Sequence, residues 1–198
     1  MTHIKSALEI AMERTEDVKS DRETLLIHEL KNEGMRLVSE ALRNTEKTEE
    51  LKKRVSTLSS KDARSFMEGV SAALLTNLSL PTGDDFEDNL DTLKELFLSV
   101  SKEKKKILYF FEQLKGFLSQ FIQNRKTLEE NLETQYEPRL RQKEDELYKR
   151  MGAKVHLEAQ QDPEFLSLLH ENRSKLEERY STALRQVKQE LTELLLSP

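Results

Sequence analysis

The chain has 198 residues, 35% of them charged and 36% hydrophobic, with 32 basic and 37 acidic side chains giving a net charge of −5. Five glycines and four prolines are too few for a loop-rich fold, and high charge with few breakers is the profile of long helices. The interleaved signs speak against general nucleic-acid binding, which asks for a net basic domain, and the absence of cysteine excludes disulfides, thiolate metal sites and cysteine nucleophiles.

Disorder, the other reading of high charge, fits poorly, because Leu, Ile, Val and Phe recur at fixed spacing. No apolar run approaches the roughly 20 residues that span a bilayer, and no apolar signal core follows Met1. We expect a soluble, cytoplasmic protein.

The first helix is predicted from about Thr2, its cap, to Val18, with Ile4, Leu8, Ala11, Met12 and Val18 on one face. Ser20 and Glu23 have capping-box spacing, which favours a new helix from Asp21 to about Leu58, with a single helix weakened at this site as the alternative. That helix carries Leu25, Leu26, Leu30, Leu37, Val38, Ala41, Leu42, Leu51, Val55 and Leu58. Gly34 inside it points to close packing on a neighbour or to a modest bend. The polar section 43–54 predicts either a solvent-facing stretch or a break near Asn44. Ser59 to Asp62 stops and restarts the chain. A helix over 61–78 comes next, dense in small residues that let a neighbour approach closely.

Pro81 to Gly83 is a loop, and Asp84 or Asp85 can cap the long helix beyond it. From Leu90 the apolar residues recur in sevens: Leu90, Leu93, Phe97, Val100, Lys104, Ile107, Phe111, Leu114, Leu118, Phe121, Arg125, Leu128, Leu132 and Gln135. Eleven of these fourteen are apolar, which predicts a supercoiled spine helix over about 85–137. Pro138 predicts a stop or a kink, with a kinked extension over 139–151 and a loop from Gly152. Asp162-Pro163-Glu164 is a cap, a first-turn proline and an acid. It opens a last helix over 163–196 whose apolar rows repeat in elevens.

No stretch carries a catalytic signature. The four histidines form no metal pair at helical spacing, and His156 and Glu158 lack further ligands and read as exposed polar residues. The glycines are isolated, so no phosphate loop exists. We expect no enzyme activity, and assign no catalytic, cofactor-binding or metal-ligating residue and no small-molecule substrate.

Lys104 and Arg125 interrupt the heptad on one face, either to set register in an assembly or as stems reaching solvent. Two basic runs stand out, 102–106 and 139–154. The second holds Arg139, Arg141, Lys143, Lys149, Arg150 and Lys154. Either can meet an anionic partner, although solvated helix faces explain both. Neither has the broad apolar face of a helix lying on a membrane, so membrane-surface contact is not expected. The stretch Ile107 to Ile122 is apolar at more than two positions per heptad and predicts a bundle core.

The sequence therefore predicts an all-α, elongated antiparallel helical bundle with coiled-coil arms, forming one domain over 1–198. Its expected role is structural or adaptor, through helix–helix contacts with a second copy or another helical protein. The interface candidates are Lys104, Phe110, Phe117, Arg125, Leu128, Leu132, Leu147 and Met151. The alternative is a nucleic-acid or ribosome-associated module that uses the two basic runs.

Overall fold

The structure, a computed structural model, describes residues 7–83 and 86–196, with side chains from residue 22 onward. The caps expected at Thr2 and at Asp84 or Asp85 lie outside the described residues. Among the described residues six helices succeed one another: α1 (Ala7–Arg43), α2 (Thr48–Thr57), α3 (Ser60–Asn77), α4 (Phe86–Val100), α5 (Lys104–Met151) and α6 (Pro163–Leu196). Single 3₁₀ turns occupy Thr45–Lys47 and Ala159–Gln161. The fold is all-α, with no strand among the described residues. None of their helices is long and apolar enough to cross a membrane. The chain divides into two compact units, where the sequence reading expects one domain. The first takes the residues up to Leu78, Asn89–Leu108 and the residues from Glu190. The second takes Ser79–Asp88 and Tyr109–Gln189.

In the first unit α1 packs along α3. Leu30, Leu37, Val38 and Ala41 on α1 and Phe66, Val70 and Leu74 on α3 are buried. The close approach expected at Gly34 is present and is reciprocal. A Cβ added at Gly34 would lie 2.5 Å from the Phe66 carbonyl oxygen, and one added at Gly69 would lie 2.1 Å from that of Lys31. Ion pairs flank the contact. Lys31 meets Glu68 at 2.8 Å, Arg54 grips both Glu33 oxygens at 2.8 and 2.9 Å, and Lys61 pairs with Glu23. α1 runs unbroken past Ser20. The Glu23 carboxylate reaches across to α3 instead of back to a cap.

Of the two readings of the polar section the break is the one found, so the helix expected to reach Leu58 ends at Arg43 and α2 restarts at Thr48. Asn44 is extended, and its side chain accepts the Glu46 N–H at 3.0 Å. Ser59 caps α3 by accepting the Asp62 N–H at 3.3 Å and donating to its carboxylate at 2.7 Å.

The spine helix of the sequence reading is divided differently. The heptad runs on through Val100 and Lys104, yet the helix stops between them, and the longest helix is α5 over 104–151 rather than 85–137. Ser101 lies at the break. It is buried, and its hydroxyl accepts the Glu103 N–H at 3.1 Å, a local bond that competes with continuing the helix. At the other end α5 does not stop at Pro138. Leu132, Tyr136 and Leu140 lie on both sides of the proline and share one buried cluster with Phe165 and Leu169. Burying those large side chains outweighs the roughly 3 kcal/mol that an interior proline costs. The helix ends at Gly152, which has φ 69° and donates to the Tyr148 carbonyl at 2.8 Å, a left-handed cap that suits glycine.

In the second unit α5 and α6 form an antiparallel hairpin. Phe117 and Phe121 meet Tyr180 at ring distances of 5.0 and 5.1 Å, Glu129 pairs with Arg173 at 2.8 Å, and Tyr136 meets Phe165 at 5.3 Å. Residue numbers fall on α6 as they rise on α5. The rows of eleven on α6 are buried or half-buried, Phe165 and Leu191 fully.

Candidate functional site at the turn between α5 and α6

The densest polar construction in the second unit lies where the chain returns from α5 to α6. Tyr136, Arg139 and Lys143 stand three and four residues apart, so they share one face of α5. Asp162 and Glu164 face them from the start of α6. Lys143 Nζ donates to Asp162 Oδ2 at 2.6 Å, to Glu164 Oε2 at 3.0 Å and to the Tyr136 hydroxyl at 3.2 Å. The Tyr136 hydroxyl donates to Glu164 Oε2 at 3.2 Å, and Arg139 meets the same oxygen at 2.9 Å. Asp162 is buried and also caps α6 by accepting the Glu164 N–H at 2.9 Å. Arg139 and Lys143 both stand over the Tyr136 ring, at 5.8 and 5.7 Å from its centre.

The electrostatics fix charges in place. The hydrogen bonds that Lys143 donates to Asp162 and Glu164 hold its ammonium well above the usual lysine range. Lys143 in turn holds the carboxyls of Asp162 and Glu164 below theirs. Burial pushes the Tyr136 phenol up. Each shift moves its group away from neutral pH, whereas a general acid or base works best with a pKa near it. The arrangement is that of a clasp.

A second clasp holds the returning loop. Glu144 accepts the Leu157 N–H at 2.7 Å and lies 3.0 Å from His156 Nδ1. The backbone bond and then His156 keep its carboxyl below the ordinary range. Between α5 and this loop runs a shallow open groove lined by Glu133, Glu137, Leu140, His156, Leu157 and Gln160. Its carboxylates are engaged, Glu133 by Gln160 and Glu137 by Arg141, both at 2.6 Å. The described residues hold no cluster fit for a metal ion.

Of the interface candidates, Leu128 and Leu132 come together in the cluster beside Tyr136. Leu132 is buried there. Phe117 is half-buried on Tyr180. Arg125 is half-buried, lies over the Phe121 ring at 5.8 Å and donates to the Pro81 carbonyl at 3.2 Å. It thus ties the Pro81 loop to α5. Phe110 and Leu147 are half-buried, whereas Lys104, the first residue of α5, and Met151, its last, are exposed. The basic run over 139–154 separates into two parts. Arg139, Arg141 and Lys143 are tied to carboxylates. Lys149, Arg150 and Lys154 are exposed and make no ion pair among the described residues.

Tyr136 is the member that the heptad frame misses. The frame places Gln135 in the core, but Gln135 is exposed and Tyr136 is buried. Leu132, Tyr136 and Leu140 step by fours, and that spacing was the signal for it.

The chain belongs to a family of unknown function, DUF6657, whose model matches residues 52–193. The match takes in this whole turn. No curated protein and no solved structure matches the chain.

Proposed function

We propose that this family member is a structural or adaptor protein. It works through helix–helix contact with other protein chains, coiled-coil fashion, and has no catalytic step of its own. The observation that carries the reading is on α1. Its Leu30, Leu37, Val38 and Ala41 are packed away, yet Leu25 and Leu26 are 61% and 47% exposed. Adjacent large apolar side chains left open on a helix suit burial by a further helix. The occupant we favour is a second copy of the chain, in a reducing compartment such as the cytoplasm.

Light scattering on the full chain tests this. The expected mass is that of a dimer, falling to a monomer in the double variant Leu25→Glu, Leu26→Glu. A monomer at every concentration overturns the second copy as occupant. Retention on heparin that falls steeply with salt moves the reading to the nucleic-acid alternative.

A further inference from the structure

From the end of α5 we infer a second interaction surface, the tip of the α5–α6 hairpin over residues 148–154, which docks end-on against an anionic lipid surface. Its residues differ from those that carry the protein-contact reading. The first observation is charge. Between Glu146 and Glu158 the chain has no carboxylate, while Lys149, Arg150 and Lys154 are all exposed. A chain with a net charge of −5 thus ends this hairpin in a small positive cap.

The second observation is apolar. Tyr148 and Met151 are 50% and 65% exposed. They lie three apart, on one face of the last turn. The helix dipole accounts for cations in a last turn. It does not account for Lys154, which lies beyond the helix, or for an open tyrosine and methionine beside the cations.

The third observation is rigidity. Gly152 turns the chain at φ 69°, and Glu144 clamps its return through the Leu157 N–H at 2.7 Å. The tip is therefore a short loop held at both ends. Neither basic run has the broad apolar face of a helix lying flat on a membrane. An end-on tip needs no long apolar face. Tyrosine suits the headgroup level with its ring below and its hydroxyl in water, methionine can enter the acyl boundary, and cations meet anionic headgroups. A nucleic acid would use the cations and the tyrosine but leave Met151 in water.

Co-sedimentation of the full chain with phosphatidylcholine vesicles, with and without phosphatidylserine, tests the assignment. At low salt the chain is expected to pellet with the phosphatidylserine vesicles only, and to be released as salt rises. The variant Lys149→Glu, Arg150→Glu is expected to lower the partition coefficient at least about thirtyfold. The variant Tyr148→Ser, Met151→Ser is expected to lower it severalfold with the salt dependence kept. Both should stay folded, because all four side chains are exposed, with the first melting slightly lower because its glutamates oppose the helix dipole. Absence of pelleting, equal pelleting with neutral vesicles, or variants that bind as the wild type does would each overturn the proposal. So would tighter binding of a single-stranded RNA oligonucleotide that depends on the same residues.

Discussion

Gly69 lies so close to Lys31 that a Cβ at position 69 would stand 2.1 Å from the Lys31 carbonyl oxygen. The obstacle is backbone, which cannot swing aside as a side chain can. Gly69→Ala must push α1 and α3 apart and loosen Phe66, Val70, Leu37 and Val38 between them. Overpacking of this kind costs about 1–3 kcal/mol and occasionally more, and backbone as the obstacle puts the expectation at the upper end. Gly116 makes the matching control. It lies in α5 with nothing within 4 Å of a Cβ, so Gly116→Ala is expected to stabilise by about 0.5–1 kcal/mol. Urea midpoints of the two variants, moving in opposite directions, check the pair. A Gly69→Ala midpoint at or above the wild type would show that the helices are not in contact there.

The clasp at the hairpin turn sets a pH window. The carboxyls of Asp162 and Glu164 are held below their ordinary range. Their contribution is therefore present above the unfolded-state values of about 4 and is lost as pH falls through the folded ones. The Lys143 ammonium is held above its range. Its contribution is present below about pH 10 and is lost as pH rises through the folded value. Asp162→Asn keeps an oxygen to cap α6 but removes the charge. We expect it to lower the melting temperature at neutral pH, with the gap to the wild type closing as pH falls through the lowered native value of Asp162. A gap that stays constant from neutral to acid would mean that the charge does not stabilise the turn.

Much of this fold was legible because its signals are local. Asp162-Pro163 announced α6, Ser59 announced α3, and the polar stretch around Asn44 announced the end of α1. The failures came where a distant contact outweighed a local rule. The capping-box spacing of Ser20 and Glu23 gave way to the pair that Glu23 makes with Lys61, 38 residues on. Pro138 was read as a stop or a kink with an extension over 139–151, and it is the extension that α5 follows to Met151, around a cluster that includes Phe165. Ser101 worked the other way, since its local bond stands at a break in a heptad that is apolar at eleven of fourteen positions. The turn itself was half legible. Arg139 and Lys143 read as part of a basic run and Asp162 and Glu164 as a helix start, but only the returning chain brings the two sets within hydrogen-bond reach. The exposure of Tyr148 and Met151 was not readable at all, because periodicity assigns a residue to a face and does not say whether that face is covered.

Ser71 offers a test of packing in α3. Its hydroxyl is buried and finds no hydrogen-bond partner among the described residues. An unsatisfied buried hydroxyl costs the desolvation of a polar group, about 1–3 kcal/mol. Ser71→Ala removes the group, leaves almost no cavity and raises helix propensity. We expect the variant to be as stable as the wild type or more stable by about 1 kcal/mol, read from its urea midpoint. A loss of more than about 1 kcal/mol would reveal a partner for the hydroxyl.

Pro138 lies inside α5 and is exposed. The proline has no N–H to offer the carbonyl one turn back, at Thr134, and its ring crowds that same carbonyl. The neighbouring Thr134 hydroxyl does not relieve this, since it donates to Glu130 at 2.9 Å. Pro138→Ala restores the missing bond and loses no buried surface. It is expected to stabilise the second unit by about 1–3 kcal/mol, less than the full cost of an interior proline because the native helix has relaxed around it. The gain should appear in thermal unfolding and as slower hydrogen exchange at residues 134–142. The contrary result, a loss of stability, would mean that the buried cluster of Leu132, Tyr136 and Leu140 depends on the course that the proline imposes. A straighter helix would then draw Tyr136 away from Phe165 and open the clasp of Lys143 on Asp162. Measuring Asp162→Asn in the Pro138→Ala background separates the two cases. With the clasp intact the two effects add; with the clasp open the Asp162→Asn substitution has nothing left to remove.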